Sequence, residues 1–272
     1  MRVAFIGGGN MATSLIGGLL ARGTAAADLV VSDPDARQRA NLQARFGVEA
    51  VSDNRAAAAG ADVILLAVKP QEMAAVAAGL AAPAGDRRRL FISIAAGIRL
   101  QDLGRWLGAD AVVIRSMPNR PALIGAGVTA LYAAPGVDAA DRRHAEQILG
   151  ACGPTVWVER ETDMDVVTAI SGSGPAYFFL LIEALESAGI AAGLAPETAR
   201  KLAVETARGA GRMAAEGNEA PAQLRQQVTS KGGTTAAALE ILERERMRDI
   251  FRVAVEAASR RSAELAEQFG ST

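Results

Sequence analysis

Short, unbroken apolar runs alternate with longer stretches of mixed polarity through the first 160 residues. The runs are Val3-Ala4-Phe5-Ile6, Leu29-Val30-Val31-Ser32, and the segments 62–68, 90–94, 111–115, 128–132 and 155–158. None shows the polar-apolar alternation of a strand with one wet face, so each reads as a strand covered on both sides. The stretches between them, 11–21 and 35–46 among them, read as helices, with Gly23 and Gly47 as stops. Such alternation predicts an α/β fold with a doubly wound parallel sheet and right-handed crossovers. Beyond about residue 161 the strand signal vanishes, and 164–190, 196–216, 222–228 and 234–268 read as helices. They are broken at 172–175, 189–196, 217–221 and 232–233, where Gly and Pro collect. The pattern therefore predicts a sheet domain over 1–160 and an all-helical domain over 161–272. Those helices, rich in Ala, Leu and Val, are apolar around much of their circumference. A bundle of that size cannot cover such surface alone, which predicts a subunit interface.

Composition removes several classes of function. Half of the residues are apolar but only 4% are aromatic, and 29 basic residues face 30 acidic ones without a basic block. Nucleic acid and anionic membranes are therefore poor partners. The single cysteine, Cys152, can form neither an internal disulfide nor a thiolate cluster, reads as a small packing residue, and fits a reducing compartment. The single histidine, His144, lies in a charged helical stretch. No two-histidine metal site can form, and no metal site is expected. A Ser-His-Asp triad is equally unsupported. The uncharged segment 3–21 has the length of a membrane span, but it holds five glycines plus Asn10, Thr13 and Ser14. A strand, a tight turn and a helix explain it better. No other stretch competes as a span, so the reading is a cytoplasmic protein.

The first strand runs into Gly7-Gly8-Gly9-Asn10-Met11-Ala12. This is the G-x-G-x-x-A turn of a Rossmann dinucleotide site. Gly7 makes the tight turn, Gly9 lets the backbone approach a pyrophosphate, and Ala12 lets helix pack on strand. The helix start offers free N–H groups and a partial positive charge to the phosphates. The second strand ends at Ser32-Asp33, about the distance at which such folds recognise the adenosine ribose. Asp33 suits a free 2′-hydroxyl and hence NADH, whereas Ser32, Arg37 and Arg39 could hold the 2′-phosphate of NADPH. The residues leave that choice open. Lys69, one of three lysines, closes the third of the apolar strands in Ala67-Val68-Lys69-Pro70, on the edge where such sheets bind ligands.

Three further runs exceed what packing requires. They are Arg115-Ser116-Met117-Pro118-Asn119-Arg120-Pro121, Ser171-Gly172-Ser173-Gly174-Pro175-Ala176-Tyr177, and Ser230-Lys231-Gly232-Gly233-Thr234-Thr235. With the glycine turn and Ala67-Val68-Lys69-Pro70-Gln71, they resemble the pyrroline-5-carboxylate reductase family, in the family's order and over nearly the whole chain. The resemblance implies an NADPH- or NADH-dependent imine reductase, with NADPH slightly favoured, that reduces 1-pyrroline-5-carboxylate to L-proline. It implies a homodimer through the helical domain, with rings of dimers up to a decamer. Cofactor positions carried over are Gly7, Gly8, Gly9, Asn10, Met11, Ala12, Ser32, Pro34, Asn54, Val68, Lys69, Pro70 and Ala96. Substrate positions are Asn119, Ser230, Gly232, Gly233, Thr234 and Thr235, with the Thr235 hydroxyl reaching the ring nitrogen as the catalytic group. The chain departs from many relatives at Lys231 (Pro), Arg120 (Thr), Ala126 (Glu) and Ser187 (Asp). Asn218, with Glu219 beside it, stands where some relatives place a substrate-site glutamate. A hydroxyacid dehydrogenase of similar build would need a helical-domain lysine, and neither Lys201 nor Lys231 lies in such a motif. A non-catalytic dinucleotide sensor would not need the 230–235 run.

Overall fold

A computed structural model describes residues 1–81, 88–108 and 110–270. The chain forms two compact units. One comprises Met1–Gly172 with the chain from Ala257 onward, and the other Ser173–Glu256. This differs from a single cut near residue 160. The segment after the last strand stays with the sheet because Met164 is fully buried there, and Ser262 Oγ donates to Asp165 Oδ1 at 2.7 Å.

The sheet unit alternates strands and helices: β1 (Val3–Ile6), α1 (Asn10–Ala21), β2 (Leu29–Ser32), α2 (Ala36–Phe46), β3 (Glu49–Val51), α3 (Asn54–Ala58), β4 (Val63–Leu66) and α4 (Pro70–Leu80). It continues through β5 (Leu90–Ser93), α5 (Leu100–Leu107), β6 (Val112–Met117), β7 (Thr129–Ala133), α6 (Ala139–Leu149), β8 (Thr155–Trp157) and α7 (Asp163–Val167). The strands stand in the order β3-β2-β1-β4-β5-β6-β7-β8. Successive side chains on a strand face opposite ways, and the core divides accordingly. Val3, Phe5, Val31, Leu65 and Ile92 pack under Leu15, Ile16 and Leu19 of α1 and Ile148 of α6. Ala4, Ile6, Val30, Ile64 and Leu66 pack under Met73 and Ala77 of α4 and Leu103 of α5. Both faces are covered, which is why these strands are apolar at every position.

Two features depart from the expected sheet. β3 was not anticipated: it is three residues long, pairs only with β2 among the described residues, and is exposed at Glu49, so it carries almost no apolar signal. β7 runs antiparallel to β6, and β8 parallel to β7, so the sheet is mostly rather than wholly parallel. The link from β6 to β7 holds only a 3₁₀ turn, Arg120–Ile124. A parallel return needs a longer crossover, usually through a helix.

The second unit is helical: α8 (Gly174–Ala191), α9 (Pro196–Glu216), α10 (Pro221–Gln227), α11 (Thr234–Arg244) and the first part of α12 (Met247–Gly270). The sequence reads 234–268 as one helix, but Arg246 takes a left-handed conformation at φ 59° and splits it. No Gly or Pro marks that break. On α8, Phe178, Phe179 and Leu180 are each more than 60% exposed, with Leu185 and Ile190 also open. Asp163–Ala191 is long and apolar enough, by length and composition, to cross a membrane, and only 17% of its apolar window is buried inside the chain. The expectation that no stretch besides 3–21 rivals a span therefore does not hold. Packing within one chain does not account for this apolar surface.

Candidate functional site

In an open α/β sheet, ligands meet the carboxyl ends of the strands where the strand order reverses. Here that point lies between β1 and β4, which pair directly. Gly7 follows β1 at φ +97°, and a Cβ on it would lie 2.7 Å from the Ala67 carbonyl oxygen. Ala67 is itself held, its N–H donating to Ile6 O at 2.8 Å. Only glycine fits there.

The next peptide is fastened on both sides. The Gly8 N–H donates to Asp33 Oδ2 at 2.9 Å. The Gly8 carbonyl accepts from Thr13 Oγ1 at 3.2 Å and from Gln38 Nε2. Gly9 caps α1 with extended backbone and no side-chain cap, and a Cβ built on it would meet nothing within 4 Å. The amides of Asn10, Met11 and Ala12 lie in the first turn, where a helix has no carbonyl to offer them. Ala12 is fully buried against the sheet. The cradle thus combines a forced turn, an open approach and a row of free main-chain donors, and it fits a dinucleotide pyrophosphate.

The other positions that the resemblance assigns to the cofactor collect on the same edge of the sheet. Ser32 closes β2, is fully buried, and donates its hydroxyl to Asn54 Oδ1 at 2.7 Å, so these two residues engage each other. Pro34 lies exposed in the following turn, its carbonyl accepting from Arg39 Nη1 at 2.9 Å. Val68 follows β4, Lys69 is the exposed N-cap of α4, and Pro70 opens that helix. Ala96 is half-buried in the turn after β5.

Asn119 follows β6 and is buried. Its Nδ2 donates to Ser171 O at 3.1 Å, and its Oδ1 accepts from Val128 N at 2.9 Å. Its amide ties the loop after β6 to the strand start before β7 and to a π-turn at Thr168–Gly172. Arg115, 3% exposed on β6, pairs with Glu161 at 3.1 Å, and the same Glu161 Oε1 accepts the Leu100 N–H at 2.7 Å. Ser116 Oγ donates to Ser93 O at 2.9 Å. The Arg115–Asn119 run is therefore a buried polar fastening. Sequence reasoning gave Gln38 and Glu161 no role, since each sits in a stretch that reads as ordinary charged surface.

In the helical unit, the positions at 230–235 form one turn opening α11. Gly232 takes φ +76°, and the Gly233 N–H donates to Ser230 O at 3.1 Å. Gly233 caps α11 without a side-chain cap, leaving the amides of Thr234, Thr235 and Ala236 in the first turn. A Cβ on Gly233 would lie 2.4 Å from Ser230 Oγ, so serine and glycine fit as a pair. Thr235 is half-buried, while Lys231 and Thr234 are exposed. Tyr177, from the other singled-out helix start, packs edge-on to Phe251 with ring centroids 6.5 Å apart.

The two scarce reactive side chains stay outside both turns. Cys152 is buried, and that burial pushes its thiol up, only partly offset by Arg22, as suits an inert packing residue. His144 sits half-buried on α6.

Residues 161–265 match the family described as pyrroline-5-carboxylate reductase dimerisation, and residues 2–97 match NADP oxidoreductase, coenzyme F420-dependent. The chain is 50% identical over 269 residues to a pyrroline-5-carboxylate reductase of Pseudomonas aeruginosa, covering 99% of this chain and 98% of that one. It is 43% identical over 268 residues to a Haemophilus influenzae protein of the same name, covering 98% of each. Among solved structures, a pyrroline-5-carboxylate reductase from Coxiella burnetii superposes with a TM-score of 0.94 at 40% identity, over 97% of this chain and 98% of that one. A Plasmodium falciparum pyrroline carboxylate reductase with NADP bound gives 0.82 at 30% identity, over 98% of each. Similarity this high over essentially the full length of both chains makes this protein a member of the pyrroline-5-carboxylate reductase family.

Proposed function

We propose that this chain reduces the C=N bond of 1-pyrroline-5-carboxylate to give L-proline, using a reduced nicotinamide dinucleotide, NADPH or NADH. The observation that carries the proposal is the turn at 230–235. Gly232 turns the chain at φ +76°, Gly233 caps α11 with no side-chain cap over its opening amides, and Thr235 is the second residue of that helix. A carboxylate is the ligand such a helix start favours, by hydrogen bonding and by the helix dipole. Ser230, Gly232, Gly233 and Thr234 would hold the substrate carboxylate, and Thr235 Oγ1 would hydrogen-bond the ring nitrogen. Asn119 supports the reaction through the loop it fastens.

Gly7 through Ala12 would hold the cofactor pyrophosphate, with Asn54, Val68, Lys69, Pro70, Ala96 and the Ser32–Pro34 turn lining the rest of that edge. When bound, the nicotinamide supplies the hydride, and the protein contributes orientation and electrostatics. A protonated imine is already electrophilic, so a hydroxyl at Thr235 suffices to hold its proton, and no imidazole or thiolate is needed.

The functional unit is a homodimer formed through the helical unit, further assembled as a ring of dimers. The exposed Phe178, Phe179 and Leu180 supply the apolar surface for that contact, and the protein works in the cytoplasm. The test is a spectrophotometric assay of NADPH and NADH oxidation with 1-pyrroline-5-carboxylate and related cyclic imines, alongside sedimentation of the purified protein. Absence of turnover with 1-pyrroline-5-carboxylate overturns the proposal. A monomer at micromolar concentration overturns the assembly.

A further inference from the structure

The edge of the sheet that receives the adenosine half of the cofactor carries a fixed negative charge. Asp33 follows β2, where a Rossmann acid meets the ribose 2′-hydroxyl. Both of its carboxylate oxygens are held. Oδ2 accepts the Gly8 N–H at 2.9 Å, and Oδ1 accepts the Asp35 N–H at 2.9 Å. A carboxylate pinned by two main-chain donors cannot swing aside to admit a phosphate.

The groups that could contact a phosphate beside it already hold protein partners in and around the same turn. Arg39 Nη1 donates to the carbonyls of Asp33 and Pro34 at 2.7 and 2.9 Å. The Ser32 hydroxyl is buried against Asn54. A second carboxylate, Asp35, stands in the same turn and caps α2 through the Arg37 N–H at 2.8 Å. Arg37 remains, exposed in the first turn of α2 with Asp35 two residues before it.

We infer that Asp33 is the specificity-determining residue of the nucleotide site and that it selects NADH over NADPH. The carboxylate accepts a hydrogen bond from a free ribose hydroxyl and repels a 2′-phosphate. The braced glycine turn and the choice of cofactor therefore depend on one side chain, because the bond that positions Gly8 is the bond that fixes the charge. The inference rests on the dinucleotide site proposed above.

Calorimetric titration of the purified protein with NAD⁺ and with NADP⁺ tests it without any imine substrate. NAD⁺ should bind at least about tenfold tighter, the scale of one misplaced charge. Asp33→Asn keeps an oxygen for the Gly8 N–H and should narrow that ratio to roughly threefold or less. Arg37→Ala should leave the ratio unchanged. Wild-type protein that binds NADP⁺ as tightly as NAD⁺ overturns the inference. So does an unchanged ratio in Asp33→Asn, or selective loss of NADP⁺ in Arg37→Ala. Should the Asn variant fail to fold, the wild-type ratio decides. NAD⁺ binding with that ratio but no imine reduction would sink the reductase reading and leave this inference standing.

Discussion

Two glycines two residues apart in the first turn should fail in opposite ways when replaced by alanine. At Gly7 the backbone has φ +97°, and the new Cβ would lie 2.7 Å from Ala67 O, 2.9 Å from Ala67 C and 3.2 Å from Val68 Cγ1. The first two are main-chain atoms of a residue bonded to β1, so neither can give way cheaply. A disfavoured backbone region costs about 1–3 kcal/mol, and overpacking costs a similar amount. Together they remove roughly 2–6 kcal/mol from a total that is typically about 5–15. At Gly9 the backbone is already extended, at φ −64° and ψ −174°, and the Cβ would meet nothing within 4 Å. Gly9→Ala should therefore stay within about 1 kcal/mol of wild type. That open space is where a pyrophosphate must come close, so the added methyl should weaken NAD⁺ binding at least roughly tenfold. Urea unfolding of both variants, paired with NAD⁺ calorimetry, separates the two effects. Gly9→Ala binding NAD⁺ like wild type, or Gly7→Ala unfolding at the wild-type midpoint, would refute the assignment of one glycine to the fold and the other to the ligand.

Three other outcomes are expected. Thr235→Ala should lower the turnover of 1-pyrroline-5-carboxylate by roughly 10- to 100-fold, as for the loss of one positioned polar group, and unchanged steady-state turnover would remove Thr235 from the mechanism. Glu161→Ala strands the buried Arg115 guanidinium and the Leu100 N–H together, and should cost about 3–5 kcal/mol in urea unfolding. Adding Arg115→Met should restore more than half of that loss, and a double variant no more stable than the single one would contradict the pairing. At Asp141, burial raises the carboxyl, but the Arg88 hydrogen bonds, the Asp138 main-chain contact and nearby positive charge outweigh it and hold it below its usual 3.8. A depressed carboxyl contributes stability that is fully present above its unfolded value and is lost as pH falls through the folded one. The stability gap between wild type and Asp141→Asn should thus be flat above about pH 5 and close below about pH 4. A gap independent of pH from 7 to 3 would refute it.

The apolar strands were legible because burial on both faces writes itself as unbroken hydrophobic runs: Val3–Ile6 and Leu29–Ser32 form where the pattern puts them. Helix stops were legible where a special backbone angle demands glycine, as at Gly47, left-handed at φ +68°. Illegible features are those whose signal lies in a distant partner. Glu49–Val51 becomes a strand only because β2 offers an open edge. Arg246 ends a helix at φ 59° with a side chain that gives no hint of it, being paired instead with Asp249.

The same distinction runs through the site. The glycines of both turns were readable, because their requirement is local geometry. What was not readable is how Asp33, Asn54 and Asn119 are held, because each is engaged by a hydrogen bond with a residue between 9 and 52 positions away. A polar residue at a strand end is an ambiguous sign from sequence alone. It can face the ligand, or hold in place the main chain that does. Asp33 shows that one carboxylate can take both parts: its oxygens brace the Gly8 peptide and the following turn while its charge stands at the nucleotide edge. In a chain with one histidine and one buried cysteine, selectivity must come from main-chain donors and from the few charges that hold them. Substitutions that move those donors by a few tenths of an ångström should therefore matter more than changes to any exposed ionisable side chain.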